Sequence, residues 1–255
     1  MQVKIIGAHG GVTKNYQATS ILLDDKLLID AGSAAAALDM ESQLNIENIL
    51  ISHSHLDHTK DLAFLSDNCF GLRKKAFEVY CHPTVRKAIK DHLFNDIIWP
   101  DFSVLPTKTN PTIHFNDLVK ETTIQLGEFK VTPVHVQHPG DAFGFIIEKR
   151  NVTLLFTQDT GPTDRIWEVA KSLKNLKAIF CEVSFPNRLQ NVATISDHHT
   201  PMSLHKEMEK MPPNLPIYLG HIKPHFQEEI ISEVTSLNNS RLHLLYADDV
   251  RFNFN

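Results

Sequence analysis

A chain of 255 residues, 42% of them hydrophobic and 22% charged, is long enough to bury one large core and is expected to form a single domain over residues 1–255. Its formal charge of -5 and pI near 6.3 exclude a broad basic field, so any phosphate-bearing partner would have to be held locally, for instance by a bound metal pair. No segment reaches the roughly 18 apolar residues of a membrane span, and "MQVKIIGAHGG" lacks a secretory pattern, so a soluble, cytoplasmic protein with no membrane partner is expected. Cys69, Cys81 and Cys181 fit neither a zinc ribbon nor a disulfide framework and read as buried free thiols in a reducing compartment.

In chain order, Val3 to Ile6 opens a β-meander that continues through "SILLDDKLLID", where Asp24-Asp25 separates two apolar runs at hairpin distance. "SAAAALDM" after Gly32 is compatible with a helix, and "NILIS" at 48 to 52 is a continuous apolar run typical of a buried strand. A helical period links Val85, Ala88, Ile89 and Leu93, and another links Ile166, Val169, Ala170 and Leu173, with Pro162 placed as a first helical residue. Strand-like runs occupy 128 to 136, 143 to 148, 152 to 157, 178 to 183, 215 to 219 and 242 to 246, and helices follow "HHTP" and "KPHF". Proline-rich patches at 100 to 111 and 212 to 216 read as surface loops. Phe94, Trp99 and Pro100 offer either an apolar wall for a stacked base or plain core.

The chemistry concentrates in "ISHSHLDHTKDL", Ile51 to Leu62, directly behind the apolar run at 48 to 52. His-x-His-x-Asp-His lets His53 and His55 reach one ion while Asp57 and His58 reach a second, and imidazole with carboxylate suits zinc, manganese or iron. Further ligands must come from elsewhere, and His138, Asp159 and His221 each stand where an apolar run ends. His135 competes with His138 for the same place, since the two lie three residues apart and face opposite sides of a strand. His92, His114 and His243 read as ordinary surface or core histidines. Asp159 has an alternative as a turn or capping residue before Pro162, and Thr200 has one as a helix N-cap before Pro201.

"HSHLDH" with the later histidines and aspartate resembles the metallo-β-lactamase superfamily. Within it, "LLIDAGS", "LFNDIIWPDF", "DTGPTDRIWEVA", "LKAIFCEVSFPN", "HHTP" and "GHIKP" are similar to the class II cyclic-nucleotide phosphodiesterases, in that family's order. The resemblance implies an α+β fold, an αββα sandwich in which helices flank two mixed β-sheets. It implies two divalent ions, zinc with manganese or iron as alternatives, one on His53, His55 and His138, the other on Asp57, His58 and His221, with Asp159 bridging both. It implies hydrolysis of 3',5'-cyclic nucleotides, cyclic AMP or cyclic GMP, to nucleoside 5'-monophosphates by a water shared between the ions, with Asp57 orienting that water and His198 donating the leaving-group proton. Ser184, Asn187 and Thr200 are substrate-contact candidates; Glu182, Ser184 and Asn187 are also candidates to support the ligands from behind, and Lys223 could meet a phosphate.

The chain departs from that family's usual pattern at His199, where a hydrophobic residue is common, at Asp197, where glycine is common, at Thr59-Lys60, where a small residue is common, and at His9, in a loop more often built of small residues. On the same ligands one alternative is another hydrolase of that fold, acting on a thioester or lactam, and the other is a tRNA 3'-processing type of ribonuclease. That enzyme would be expected to carry a basic arm, and this acidic chain shows no Gly- and Lys-rich insertion, so the expected partner is a small cyclic nucleotide rather than nucleic acid. A homodimer is compatible with the sequence.

Overall fold

The computed structural model describes residues 1–255. Asp24 and Asp25 both adopt positive φ, 47° and 57°, which is the backbone of a tight turn whose twist matches its strands. They join Ser20–Leu23 to Leu27–Ile29 as an antiparallel pair. Apart from Ser20, each short run is apolar because successive residues face two cores. Leu23, Leu27 and Ile29 enter one apolar cluster while Leu22 and Leu28 enter another. On the other half of the molecule Leu154 and Phe156 point into the first cluster and Leu155 into a third.

That alternation sorts the chain into four layers. One sheet runs, edge to edge, Val250–Asn253, Gln2–Gly7, Ser20–Leu23, Leu27–Ile29, Asn48–Leu50, Phe77–Cys81 and Ile113–Asp117. The other runs Leu242–Leu244, Ile217–Gly220, Leu176–Glu182, Val152–Phe156, Phe143–Lys149, Phe129–His135 and Ile124–Leu126. Both are mixed, with parallel and antiparallel neighbours. Between them lies the first cluster, where Val3, Ile5 and Leu50 share a core with Phe145, Phe156 and Phe180. Outside the first sheet, Leu62 and Leu65 of the helix Leu56–Asn68 pack with Val85 and Ile89 of Pro83–His92. Outside the second, Ile166 and Trp167 of Arg165–Ser172 pack with Leu204 of Pro201–Glu207 and Ile230 of Gln227–Ser236. Each fully buried Leu, Ile or Phe contributes about 1.5–3 kcal/mol of transfer free energy. The architecture is therefore the expected α+β sandwich of two mixed sheets flanked by helices.

Two elements differ from the sequence expectations, and a third, the aromatic segment at 94 to 100, takes its core reading. Pro162 stands outside its helix, which begins at Arg165 behind Asp164. The metal-capable run is not an open loop: His55 is the N-cap of Leu56–Asn68, and Asp57 and His58 fill the helix's first turn, where a carboxylate favours the positive end of the dipole. Phe94 is 1% exposed and packed with Phe102, so it is core; Trp99 leans on the same cluster, while Ile97 and Ile98 are exposed. No helix is long and apolar enough to cross a membrane.

Candidate metal centre

Five strands deliver side chains from their C-terminal ends. His53 follows Asn48–Leu50, His138 follows Phe129–His135, Asp159 follows Val152–Phe156, Ser184 follows Leu176–Glu182 and His221 follows Ile217–Gly220. Such a convergence at one edge of the sheets is where proteins with mixed α and β layers place their chemistry. The helix bearing Asp57 and His58 is clamped against the end of Leu27–Ile29: Ala31 N donates to His58 O at 2.7 Å and Asp61 N donates to Ala31 O at 2.8 Å. A Cβ at Gly32 would lie 2.0 Å from Asp57 O, so only glycine permits that approach.

Asp159 Oδ2 is the hub. It lies 3.2 Å from His58 Nε2, 3.2 Å from His221 Nε2, 3.8 Å from His53 Nε2 and 4.0 Å from His138 Nε2. Three groups of ligand-capable atoms meet around it, His53, His55 and His138 with Asp159, then Asp57, His58 and His221, and then Asp159, His198 and His221, each spanning no more than 4.8 Å. His138 Nε2 is 3.2 Å from His55 Nδ1, and His221 Nε2 is 3.3 Å from both His58 Nε2 and Asp57 Oδ2. His138, not the exposed His135, stands in the first group. His55 and Asp57 are the members that reach solvent, so the centre opens on their side.

The second nitrogen of each buried histidine is already engaged. His58 Nδ1 faces Asp30 Oδ2 at 2.7 Å, and His53 Nδ1 faces Ser52 Oγ at 3.0 Å. His138 Nδ1 donates to Asp197 O at 3.0 Å, and His221 Nδ1 faces Ser184 Oγ at 2.9 Å. Four Nε2 atoms are thereby aimed at the Asp159 carboxylate, as imidazoles that hold a metal are commonly oriented. Buried polar atoms are normally paired, yet His53 Nε2 and Asp159 Oδ1 have no protein partner. Imidazole nitrogens and carboxylate oxygens crowded with unsatisfied acceptors fit divalent cations.

Charges in the cluster follow the same geometry. Burial, reinforced by neighbouring His58, holds the His53 imidazole well below its ordinary range, and burial lowers His55 and His138 too. Burial also works against a charge on His58, but the Asp159 and Asp30 carboxylates overcome it and raise His58 well above the usual value. Asp159 resists its own desolvation because His221 and His58 lower it strongly, and Asp57 is lowered by its contact with His221 despite burial.

His198 is buried beside this centre, its ring centroid 4.9 Å from that of His138 and 5.5 Å from that of His221. Its Nδ1 is 3.0 Å from Glu182 Oε1. Burial alone would depress this imidazole, but the Glu182 carboxylate outweighs it and raises it. Ser184 Oγ donates to Glu182 Oε2 at 2.7 Å and touches His221, so this hydroxyl supports a histidine rather than standing free for substrate. Thr200 takes its capping alternative: it is fully buried, accepts from Ser203 N and donates to Gln190 Oε1 at 2.6 Å. Asn187 Oδ1 accepts from Met202 N, fastening the same helix start. Lys223 Nζ donates to Gly10 O at 3.2 Å. Asp30, Ser52 and Gln158 were not singled out by sequence; Asp30 accepts from Ser52 N, Ser52 Oγ and Gln158 Nε2 at the base of the cluster. The one sequence signal for Asp30 is its place at the end of "LLID".

Fold and donor set together define a metal-dependent hydrolase. The chain belongs to the metallo-β-lactamase superfamily: residues 25–214 match the family described as the beta-lactamase superfamily domain. Among solved structures it is similar to unliganded yeast PDE1, with a TM-score of 0.81, 16% identity, and coverage of 96% of this chain and 97% of that one. It is also similar to the metallo-beta-lactamase fold protein YhfI from Bacillus subtilis, with a TM-score of 0.77, 18% identity and 99% of both chains covered. Human tRNase Z, short form, gives a TM-score of 0.71 at 17% identity over 99% of both chains. No curated protein matches by sequence.

Proposed function

We propose that the chain is a binuclear phosphodiesterase that opens 3',5'-cyclic nucleotides, cyclic AMP or cyclic GMP, to nucleoside 5'-monophosphates. In this reading His53, His55 and His138 hold one divalent ion, Asp57, His58 and His221 hold the other, and Asp159 serves both. Zinc suits the donors best, and manganese or iron is accepted by the same set. Such ions, when bound, supply a water activated near neutral pH and neutralise charge on the phosphoryl oxygens.

The observation that carries the reading is the placement of His198, backed by Glu182 and facing the Asp159 and His221 atoms within 4.8 Å. As the water oxygen bonds to phosphorus and the P–O3' bond breaks, the ribose 3'-oxygen leaves as a strongly basic alkoxide. His198 donates its proton to that oxygen, a contribution on the order of 10²- to 10⁴-fold. Glu182 holds Nδ1, which leaves Nε2 as the donating atom. Asp57, at the solvent-open side, accepts a hydrogen from the attacking water and fixes its direction. Ser184 keeps His221 and Glu182 in register. The likeness of "DTGPTDRIWEVA", "SFPN" and "HHTP" to cyclic-nucleotide phosphodiesterases supports the substrate class, and the net charge of -5 favours a small substrate over RNA.

The test is to incubate metal-loaded protein with cyclic AMP, cyclic GMP, 2',3'-cyclic nucleotides, bis(p-nitrophenyl) phosphate and a pre-tRNA. Release of nucleoside 5'-monophosphate from the 3',5'-cyclic substrates is expected. Cleavage of the pre-tRNA alone would overturn the proposal.

A further inference from the structure

His9 stands in the "GAHGG" loop, away from the histidines assigned above, yet it is 0% exposed. Burying an imidazole in a loop is costly unless its nitrogens are engaged. Here Nε2 is 2.9 Å from Gln227 Oε1, at the start of the helix Gln227–Ser236, while Nδ1 makes no hydrogen bond and has only the Asp248 carboxylate beside it, Oδ1 at 3.4 Å. Asp248 also accepts from Ala8 N at 3.1 Å and from Gln17 N at 2.9 Å, so one carboxylate near the C-terminus grips both sides of the loop.

The next residue touches the metal centre. Gly10 N donates to Ile222 O at 3.1 Å, and Lys223 Nζ donates back to Gly10 O. A Cβ on Gly10 would lie 2.7 Å from His221 Cε1 and 2.8 Å from its Nδ1, so the Gly10 backbone is packed against the imidazole. His221 is left-handed, with φ 57°; its Nδ1 faces Ser184, its ring stacks beside His198 at 5.5 Å, and the Gly10 backbone closes the remaining edge at Cε1 and Nδ1. None of the contacts described for His53, His55 or His138 involves the loop.

We infer that His9 is a positioning residue for the Asp57, His58 and His221 group alone, tying the Gly10 backbone through Gln227 and Asp248 so that His221 Nε2 points at the metal position. The inference rests on the metal-centre reading but not on the phosphodiesterase activity. Loss of an outer partner of a ligating histidine typically weakens metal affinity about 10- to 100-fold.

The two groups are separated by background: His55→Ala leaves the Asp57 group, and Asp57→Ala leaves the His53 group. Zinc affinity of the full chain is measured by competition with a chromophoric chelator. In the His55→Ala background, His9→Ala and Gln227→Ala are each expected to weaken zinc by about 10-fold or more, and His9→Gln, whose amide can meet the same partners, to restore most of it. In the Asp57→Ala background all three should leave zinc affinity unchanged. Equal weakening in both backgrounds, or no weakening in either, overturns the inference. If His9→Ala does not fold, Gln227→Ala alone decides, because it removes one partner from a half-buried position. Wild-type protein that holds no zinc would sink the metal centre and the tie together, whereas zinc binding without cyclic-nucleotide hydrolysis would sink the proposed activity only.

Discussion

His58 donates its Nδ1 hydrogen to Asp30 Oδ2 across 2.7 Å, with both side chains fully buried. Asp30 is held in the left-handed region, φ 57°, and its carboxylate also accepts from Ser52, whose hydroxyl faces His53 Nδ1. One carboxylate therefore aims a histidine of each ligand group. Asp30→Asn keeps the shape but turns an acceptor into a donor opposite His58. Zinc affinity is expected to fall about 10- to 100-fold while the protein stays folded, as read by chelator competition and circular dichroism. Unchanged affinity would count against this aiming role.

The same pairing sets how zinc uptake depends on pH. His58 binds metal only as the neutral imidazole, yet Asp159 and Asp30 raise its proton affinity well above the ordinary histidine value. In the metal-free protein the proton is therefore retained as pH rises past the usual histidine range, and it competes with zinc until the raised pKa is passed. Affinity should keep climbing above that range, with a proton released per zinc at neutral pH. Calorimetry in buffers of different ionisation enthalpy counts that proton; no release at pH 7 would refute the account.

How much of this was legible in the sequence depends on the range of the contacts involved. The hairpin at Asp24-Asp25 and the doubly buried strands were readable because turn chemistry and apolar continuity are local. The convergence of His53, His138, Asp159 and His221 was readable because each follows an apolar run, so strand ends marked them. The edge strands Ile113–Asp117 and Ile124–Leu126 were missed because they are only partly buried and carry little apolar pattern. Asp30 was missed because its partners are 22, 28 and 128 residues away, and nothing near "LLID" announces them. Ser184 and Thr200 each carried two readings in the sequence, substrate contact or, respectively, ligand support and helix capping, and packing engages their hydroxyls with His221, Gln190 and Ser203 in the second sense.

Cys69, Cys81 and Cys181 are free and buried. Burial pushes the thiols of Cys81 and Cys181 up to about 12, and it raises Cys69 as well. A thiol at that value is about one part in ten thousand thiolate at pH 8, and thiolate is the reactive form. Native protein is expected to resist iodoacetamide at pH 8, while guanidinium-unfolded protein takes up three carbamidomethyl groups by mass spectrometry. Rapid modification of folded protein would show that one of these sites opens.

His198 ties its protonation to Glu182, and this makes the role of the pair separable by pH. Burial pulls the imidazole down, but the carboxylate 3.0 Å away pulls it further up, so the acid form persists above the ordinary histidine range. A general acid is active while protonated, so kcat/KM of the zinc-loaded enzyme should decline as pH rises through that raised value. Glu182→Gln removes the negative charge; the His198 proton is then lost at lower pH, and the alkaline limb should move toward acid. His198→Ala should abolish that limb and lower kcat by about 10²- to 10⁴-fold while zinc content stays at the wild-type level. If His198→Ala instead lost zinc in proportion to rate, the imidazole would be a ligand and the proton donor would have to be sought among the solvent-open groups near Asp57.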